Sequence, residues 1–236
     1  SLYMVPVIMY HSVSPYARQG NRMELSVDLF TRQMEFLKTH HYNVISLEAV
    51  GQMIREKKRF PAKSVAITFD DGYQDNYVYA YPVLMKLGQP ATIIIIYNEV
   101  ARPLGDRLSW DEIKEMQASG LITIGSHTLD HPILVEIKSE AELKRQIFDS
   151  KKKLEEQLGV EVNAFSYPSG RFNAQVREMV IQAGYRLAVA TALGKSFSNQ
   201  DVYLIKRVRV SGSDNLFDFW AKTSGYYNSF REHRRK

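Results

Sequence analysis

The chain has 236 residues and a formal net charge of +5, from 31 Lys and Arg against 26 Asp and Glu. Its composition, 44% hydrophobic and 24% charged, is that of a folded globular domain and excludes disordered, collagenous and coiled-coil chains. With no Cys there are no disulfides, thiolate metal sites or cysteine nucleophiles, and no apolar run approaches the ~20 residues that span a bilayer.

Short apolar, β-rich runs at 5–10, 65–69, 91–96, 121–124, 164–167, 187–190 and 202–210 read as strands. Continuous apolar runs of this length fit parallel strands buried on both faces. The opening SLYMVPVIMY lacks a basic leader and reads as the first of these strands, ending in His11. His40 and His41 close the first predicted helix, as dipole partners or surface residues. Lys57, Lys58 and Arg59 form a loop before the second strand. Ser109 with Glu112, and Ser139 with Glu142, fit capping boxes at helix starts. Gly120, Gly159 and Gly184 sit where helices stop.

Helices alternating with strands in this way give βαβ units and a parallel sheet, and about seven units favour a closed barrel over an open sheet. No glycine-rich phosphate loop follows any strand. Basic residues beside 14 Tyr would suit single-stranded nucleic acid, but no nucleic-acid motif accompanies them, so no such partner is expected. The chain divides into one domain, 1–228, and a basic tail, 229–236, read as a solvated end. Tyr16, Tyr97, Val100, Pro103, Leu104 and Leu108 fall in expected rim loops. Packing among those loops is the simpler reading, and contact with a membrane or cell wall the alternative.

Chemistry concentrates at strand ends. Asp70-Asp71-Gly72 follows the second predicted strand, and two adjacent carboxylates there need partners or solvent. Ser126-His127-Thr128-Leu129-Asp130-His131 follows the fourth. Two His four apart share one side of a helical turn, close enough to share a metal. One carboxylate completes a two-His, one-carboxylate site with open positions, and the other is left to take a proton from water.

TFDDG followed by SHTxxH resembles the polysaccharide deacetylases of carbohydrate esterase family 4, the NodB-homology domain. The resemblance covers nearly the whole chain. It implies a distorted (β/α)7 barrel, an α/β fold in a single domain, and metal-dependent hydrolysis of N-acetyl groups on amino sugars. By this resemblance Asp70 is the general base, and Asp71, His127 and His131 hold a divalent metal. Zinc is expected first; cobalt, nickel and iron suit the same ligands.

Two family motifs depart from the pattern. Ser166 stands where the family often has a base-orienting Arg, leaving Arg171, Arg207 and Arg209 as candidates for that duty. The usual general-acid His is missing from 204–210, where the sequence reads LIKRVRV. The Asp and Trp of a further motif are not evident near 188–192. His11 emerges on the C-terminal rim of a barrel, where such sites lie, and is read as the acid in their stead. The Met-Tyr-His-Ser start resembles the branch acting on poly-β-1,6-N-acetylglucosamine of biofilms, with peptidoglycan and chitin oligomers as rival substrates and a carbohydrate-binding pseudoenzyme as the alternative to catalysis. Tyr167, Ser169 and Arg171 are expected to bind substrate, with a backbone N–H near Ser169 as oxyanion donor and Tyr167 or Trp110 stacking on sugar. The resemblance further implies an N-acetylglucosamine polymer as partner, an extracellular or cell-surface location, and a monomer.

Overall fold

The computed structural model describes residues 5–102, 105–191 and 201–225. Its strands are β1 (Val7–Tyr10), β2 (Ser12–Val13), β3 (Glu24–Leu25), β4 (Asn43–Val44), β5 (Ser64–Asp71), β6 (Ala91–Ile95), β7 (Ile122–Ser126), β8 (Ala164–Ser166), β9 (Leu187–Thr191) and β10 (Ile205–Arg209). The helices are α1 (Val27–Thr39), α2 (Leu47–Arg55), α3 (Tyr81–Leu87), α4 (Trp110–Ala118), α5 (Glu140–Lys144), α6 (Ser150–Leu158), α7 (Ala174–Gln182) and α8 (Leu216–Thr223).

Seven strands run parallel in the order β1-β10-β9-β8-β7-β6-β5, and β5 pairs back onto β1 to close a barrel. These are the seven apolar runs of the sequence. β4 joins the foot of β5 outside the ring, and β2 with β3 makes a separate ribbon. Alternation along each strand divides the core in two. Val7, Ala66, Ala164, Leu187, Val189 and Ile205 fill the barrel interior, with Leu47 and Val50 of α2 in the same cluster. Ile8, Ile67, Phe69, Ile93 and Phe165 face the other way, against the helices. The same parity carries His11, Asp70, Arg207 and Arg209 to the inside of the barrel.

The helix signals hold with one amendment. Ser109 and Glu112 form a full capping box, and Gly120, Gly159 and Gly184 are left-handed, at φ 72°, 69° and 86°. Ser139 caps α5, but Glu142 does not return the bond: its carboxylate is taken by Arg145 and Gln146. Between α5 and α6 lies a π-helical turn, Arg145–Asp149, which breaks the continuous helix expected there.

Of the apolar rim-loop residues, Leu108 and Tyr97 pack against the protein itself, the simpler of the two readings. Leu108 is fully buried, Tyr97 packs on Trp110 with ring centroids 5.4 Å apart, and Tyr16 stands alone at 85% exposure. Pro103, Leu104 and the basic tail lie outside the described residues. No helix among the described residues is long and apolar enough to cross a membrane.

Candidate active site

The site is built where β5, β7, β8, β10 and β1 end. β5 carries Asp70 on its inward face and then turns sharply: Asp71 and Gly72 are both left-handed, at φ 75° and 70°. Asp tolerates that region better than most residues, and at Gly72 a Cβ would lie 3.0 Å from Ile95 Cγ2, so the tight turn requires glycine there. The turn leaves the two adjacent carboxylates on the same site instead of on opposite faces.

His127 and His131 are not on a helical turn, as their spacing suggested. They sit in a loop with left-handed residues at Thr128 (φ 71°) and His131 (φ 58°). Their rings nevertheless meet, edge to face, with centroids 4.5 Å apart. The loop is fastened from both sides. The N–H of Leu129 and Asp130 donate to Gln146 Oε1, and Gln146 Nε2 donates to Asp130 Oδ2 at 2.7 Å. The π-helical turn carries this buried Gln146. On the other side the N–H of Tyr97 and Asn98 donate to the carbonyls of Thr128 and Leu129.

Asp71, His127 and His131 offer ligand atoms that all lie within 4.8 Å of one another. His127 Nε2 is 3.6 Å from Asp71 Oδ1. Two ligands with bonds of about 2.1 Å at a tetrahedral angle stand about 3.4 Å apart, so this spacing fits one shared ion. His127 Nδ1 is 2.9 Å from the Ser166 carbonyl and donates to it, which fixes the tautomer that presents Nε2 as ligand. Burial and then the neighbouring His127 hold His131 below its ordinary pKa, which keeps its imidazole neutral and able to ligate. The donor set therefore fits a divalent metal.

Asp70 stands beside this trio, its Oδ2 3.7 Å from His127 Nε2. Arg207, 1% exposed, grips it with two bonds of 2.6 Å, NH1 to Oδ1 and NH2 to Oδ2. NH2 also donates to Ser166 Oγ at 2.9 Å and NH1 to Thr68 Oγ1 at 3.2 Å. Of the three arginines left open by the sequence, Arg207 is the one on the buried carboxylate. Burial alone would push Asp70 up, but the Arg207 charge, with His127 next, holds it well below the usual carboxylate range. Ser166, in the place of the family's usual Arg, is a hydrogen-bond acceptor for the displaced one.

His11 lies on the same rim, buried. Asn76 Nδ2 donates to its carbonyl at 2.8 Å, and Asp75 bonds Ser12 and the N–H of Val13, so the chain after β5 fastens the end of β1. Burial draws His11 below its ordinary pKa, opposed by the Asp70 and Asp71 charges.

The remaining candidates part company. Tyr167 is 1% exposed and its hydroxyl donates to the Tyr203 carbonyl at 2.9 Å, so its ring is core and offers no face to a sugar. Arg171 is not at the carboxylate either: it pairs with Glu136 at 2.6 Å on the surface. Ser169 is exposed and left-handed (φ 55°), at the tip of a turn whose next two amides, Gly170 and Arg171, bond the Tyr167 and Pro168 carbonyls. Trp110 is half-buried against Tyr97. His40 stacks on Phe36 with its Nδ1 at the Phe36 carbonyl, the helix-end role expected of it.

A sequence profile described as polysaccharide deacetylase matches residues 57–188. YxkH of Bacillus subtilis (strain 168), assigned by name to the same family, is 35% identical over 207 residues, 88% of this chain and 71% of that protein. The poly-beta-1,6-N-acetyl-D-glucosamine N-deacetylase of Staphylococcus aureus (strain MSSA476) is 29% identical, over 87% of this chain and 73% of its own. Among solved structures, the Streptococcus pyogenes deacetylase PplD in complex with acetate superposes with a TM-score of 0.85 at 27% identity, covering 93% of this chain and 97% of that one.

Proposed function

The chain belongs to the polysaccharide deacetylase family, and on that premise we propose a metal-dependent hydrolase that removes N-acetyl groups from poly-β-1,6-N-acetyl-D-glucosamine. One arrangement carries the reading: Asp71, His127 and His131 converge within 4.8 Å, beside a second carboxylate that a buried arginine keeps ionised. The β-1,6 polymer is supported by the likeness to the staphylococcal enzyme. A polymer of that kind places the enzyme outside the cell, at the surface or secreted.

Asp71, His127 and His131 would hold the metal, zinc first among those that suit two imidazoles and a carboxylate. When bound, the metal supplies a Lewis acid that polarises the acetamide carbonyl and acidifies water. Asp70, anionic because of Arg207, accepts the proton of the attacking water as its oxygen bonds the carbonyl carbon. The Ser169 amide is the donor for the oxyanion. Protonated His11 gives its proton to the amide nitrogen as the C–N bond breaks, since that nitrogen leaves only as an amine. Acetate and a free amino sugar result.

The test is acetate release from poly-N-acetylglucosamine with zinc, cobalt or nickel added, for wild type, Asp70→Asn and His11→Ala. Metal-dependent release by wild type that both variants lose supports the whole reading. Release from chitin or peptidoglycan alone replaces the substrate and keeps the chemistry. No release from any of them, with metal bound, overturns the enzyme.

A further inference from the structure

β10 sends three alternate side chains into the barrel: Ile205, Arg207 and Arg209. Ile205 belongs to the interior apolar cluster and Arg207 is spent on Asp70. Arg209, at the rim end and half-buried, has no carboxylate partner among the described residues, and its Nε is buried without a hydrogen bond. The Nε of Arg207 is also unbonded, but the Arg207 charge is met by Asp70 at two atoms.

Arg22 adds a second positive charge beside it. Arg22 lies between β2 and β3, in a loop pressed against the turn after β10: a Cβ on Gly212 would sit 2.4 Å from the Glu24 carbonyl oxygen. Arg22 is exposed and likewise has no ion pair among the described residues. The carboxylates at hand are committed elsewhere. Glu24 takes the Arg18 guanidinium and amide, and Asp214 takes Lys222 and the Ser211 N–H.

A half-buried guanidinium ordinarily has a carboxylate bonded to it; the Asp70 charge reaches Arg209, but both oxygens of that carboxylate are bonded by Arg207. The fork of an arginine suits a planar carboxylate or a phosphate. We propose that Arg209 and Arg22 form an anion subsite on the rim of the candidate active site, receiving a carboxylate or phosphate substituent on the saccharide next to the reacting N-acetyl group. The subsite rests on the deacetylase reading of the site, not on the neutral β-1,6 homopolymer, and points to N-acetylglucosamine saccharides that carry anionic substituents.

The test compares three saccharides on the zinc-loaded protein: a neutral β-1,6-linked N-acetylglucosamine trisaccharide, and the same trisaccharide bearing a 3-O-lactyl carboxylate or a 3-phosphate on one sugar. Each is assayed for acetate release and, by calorimetry, for binding. The expected kcat/KM ratio of anionic to neutral substrate is about tenfold, one charge-assisted contact, falling towards unity in Arg209→Met and as salt rises. Arg209→Lys, which keeps the charge, retains most of the preference and controls for folding. The better of the two anionic substrates identifies the substituent. A ratio of one in wild type, or one unchanged by Arg209→Met, overturns the subsite while leaving the deacetylase intact. If no saccharide releases acetate, the deacetylase reading fails by itself, and calorimetry still decides: equal affinity for neutral and anionic saccharides overturns the subsite too.

Discussion

Replacing Arg207 by Met isolates what the buried pair does for Asp70. In the wild type the Asp70 pKa is depressed, so its contribution to stability is present above the unfolded-state value of about 3.9 and is lost only as pH falls through the folded-state value. That value lies below any pH at which the fold is ordinarily handled, so from pH 4 to 8 Asp70 contributes no slope. With Met at 207, desolvation acts on Asp70 opposed only by the His127 and His11 charges, and its folded-state pKa rises above the unfolded one. The sign reverses: the folded state now holds a proton that the unfolded state gives up, and stability falls as pH rises. The slope is about 1.4 kcal/mol per pH unit for one proton. The ~3–5 kcal/mol typical of breaking a buried pair corresponds to about two to three and a half such units. Losing the bonds to Ser166 and Thr68 adds a pH-independent offset of about 1 kcal/mol each. Urea unfolding of metal-stripped wild type and Arg207→Met at intervals from pH 4 to 8 measures the difference directly. Two parallel stability curves, offset but not diverging, would refute the reasoning.

His11→Ala should lose about 10²–10⁴ in kcat while binding metal as before, the range for one general acid. Because burial draws the His11 pKa down and the acid works protonated, wild-type kcat/KM should decline as pH rises through a midpoint below 6.5, and the variant should lack that limb. Chelation should abolish acetate release and added zinc restore it; His131→Ala should raise the metal Kd, whereas Asp70→Asn should not, as titration calorimetry will show. Tyr167→Phe should cost about 1 kcal/mol of stability, the bond to Tyr203, and leave kcat and KM unmoved; a large rise in KM would return that residue to the substrate. Gly170→Ala puts a Cβ 3.0 Å from the Thr191 amide nitrogen at a left-handed position, and thermal melting should show a loss of about 1–3 kcal/mol.

The barrel was legible because most of its strands are apolar on both sides, which writes a continuous run into the sequence; β10, with Lys206, Arg207 and Arg209, is the exception. β2, β3 and β4, two residues each, leave no period to detect. The π-helical turn at Arg145–Asp149 was invisible for the opposite reason: its residues suit an α-helix, and the bonds that Gln146 makes to the 127–131 loop leave no local pattern. The spacing of His127 and His131 pointed to a shared metal for the wrong geometric reason, since left-handed residues at Thr128 and His131, not a helical turn, bring the rings together. Arg207 could be narrowed to three arginines and no further. Its partner is 137 residues away, and a pairing over that distance is set by barrel closure, not by local pattern. The one local sign was arginine at inward positions of a barrel strand, Arg207 and Arg209. Tyr167 was misplaced because a tyrosine at a strand end can point up into a cleft or back into the core, and only its bond to Tyr203 decides.

That 137-residue separation also orders events in time. β10, the last strand of the ring, sits between β9 and β1, so it is the element that seals the barrel. A chain that has made β1 through β9 holds Asp70 as a lone carboxylate facing an open seam, where water can still reach it. When β10 enters, one stroke excludes that water, closes the sheet and delivers the arginine that lets the charge remain. Contacts this distant in sequence are slow to form. The ion pair that holds the reactive carboxylate in a dry site thus requires the last strand to be in place.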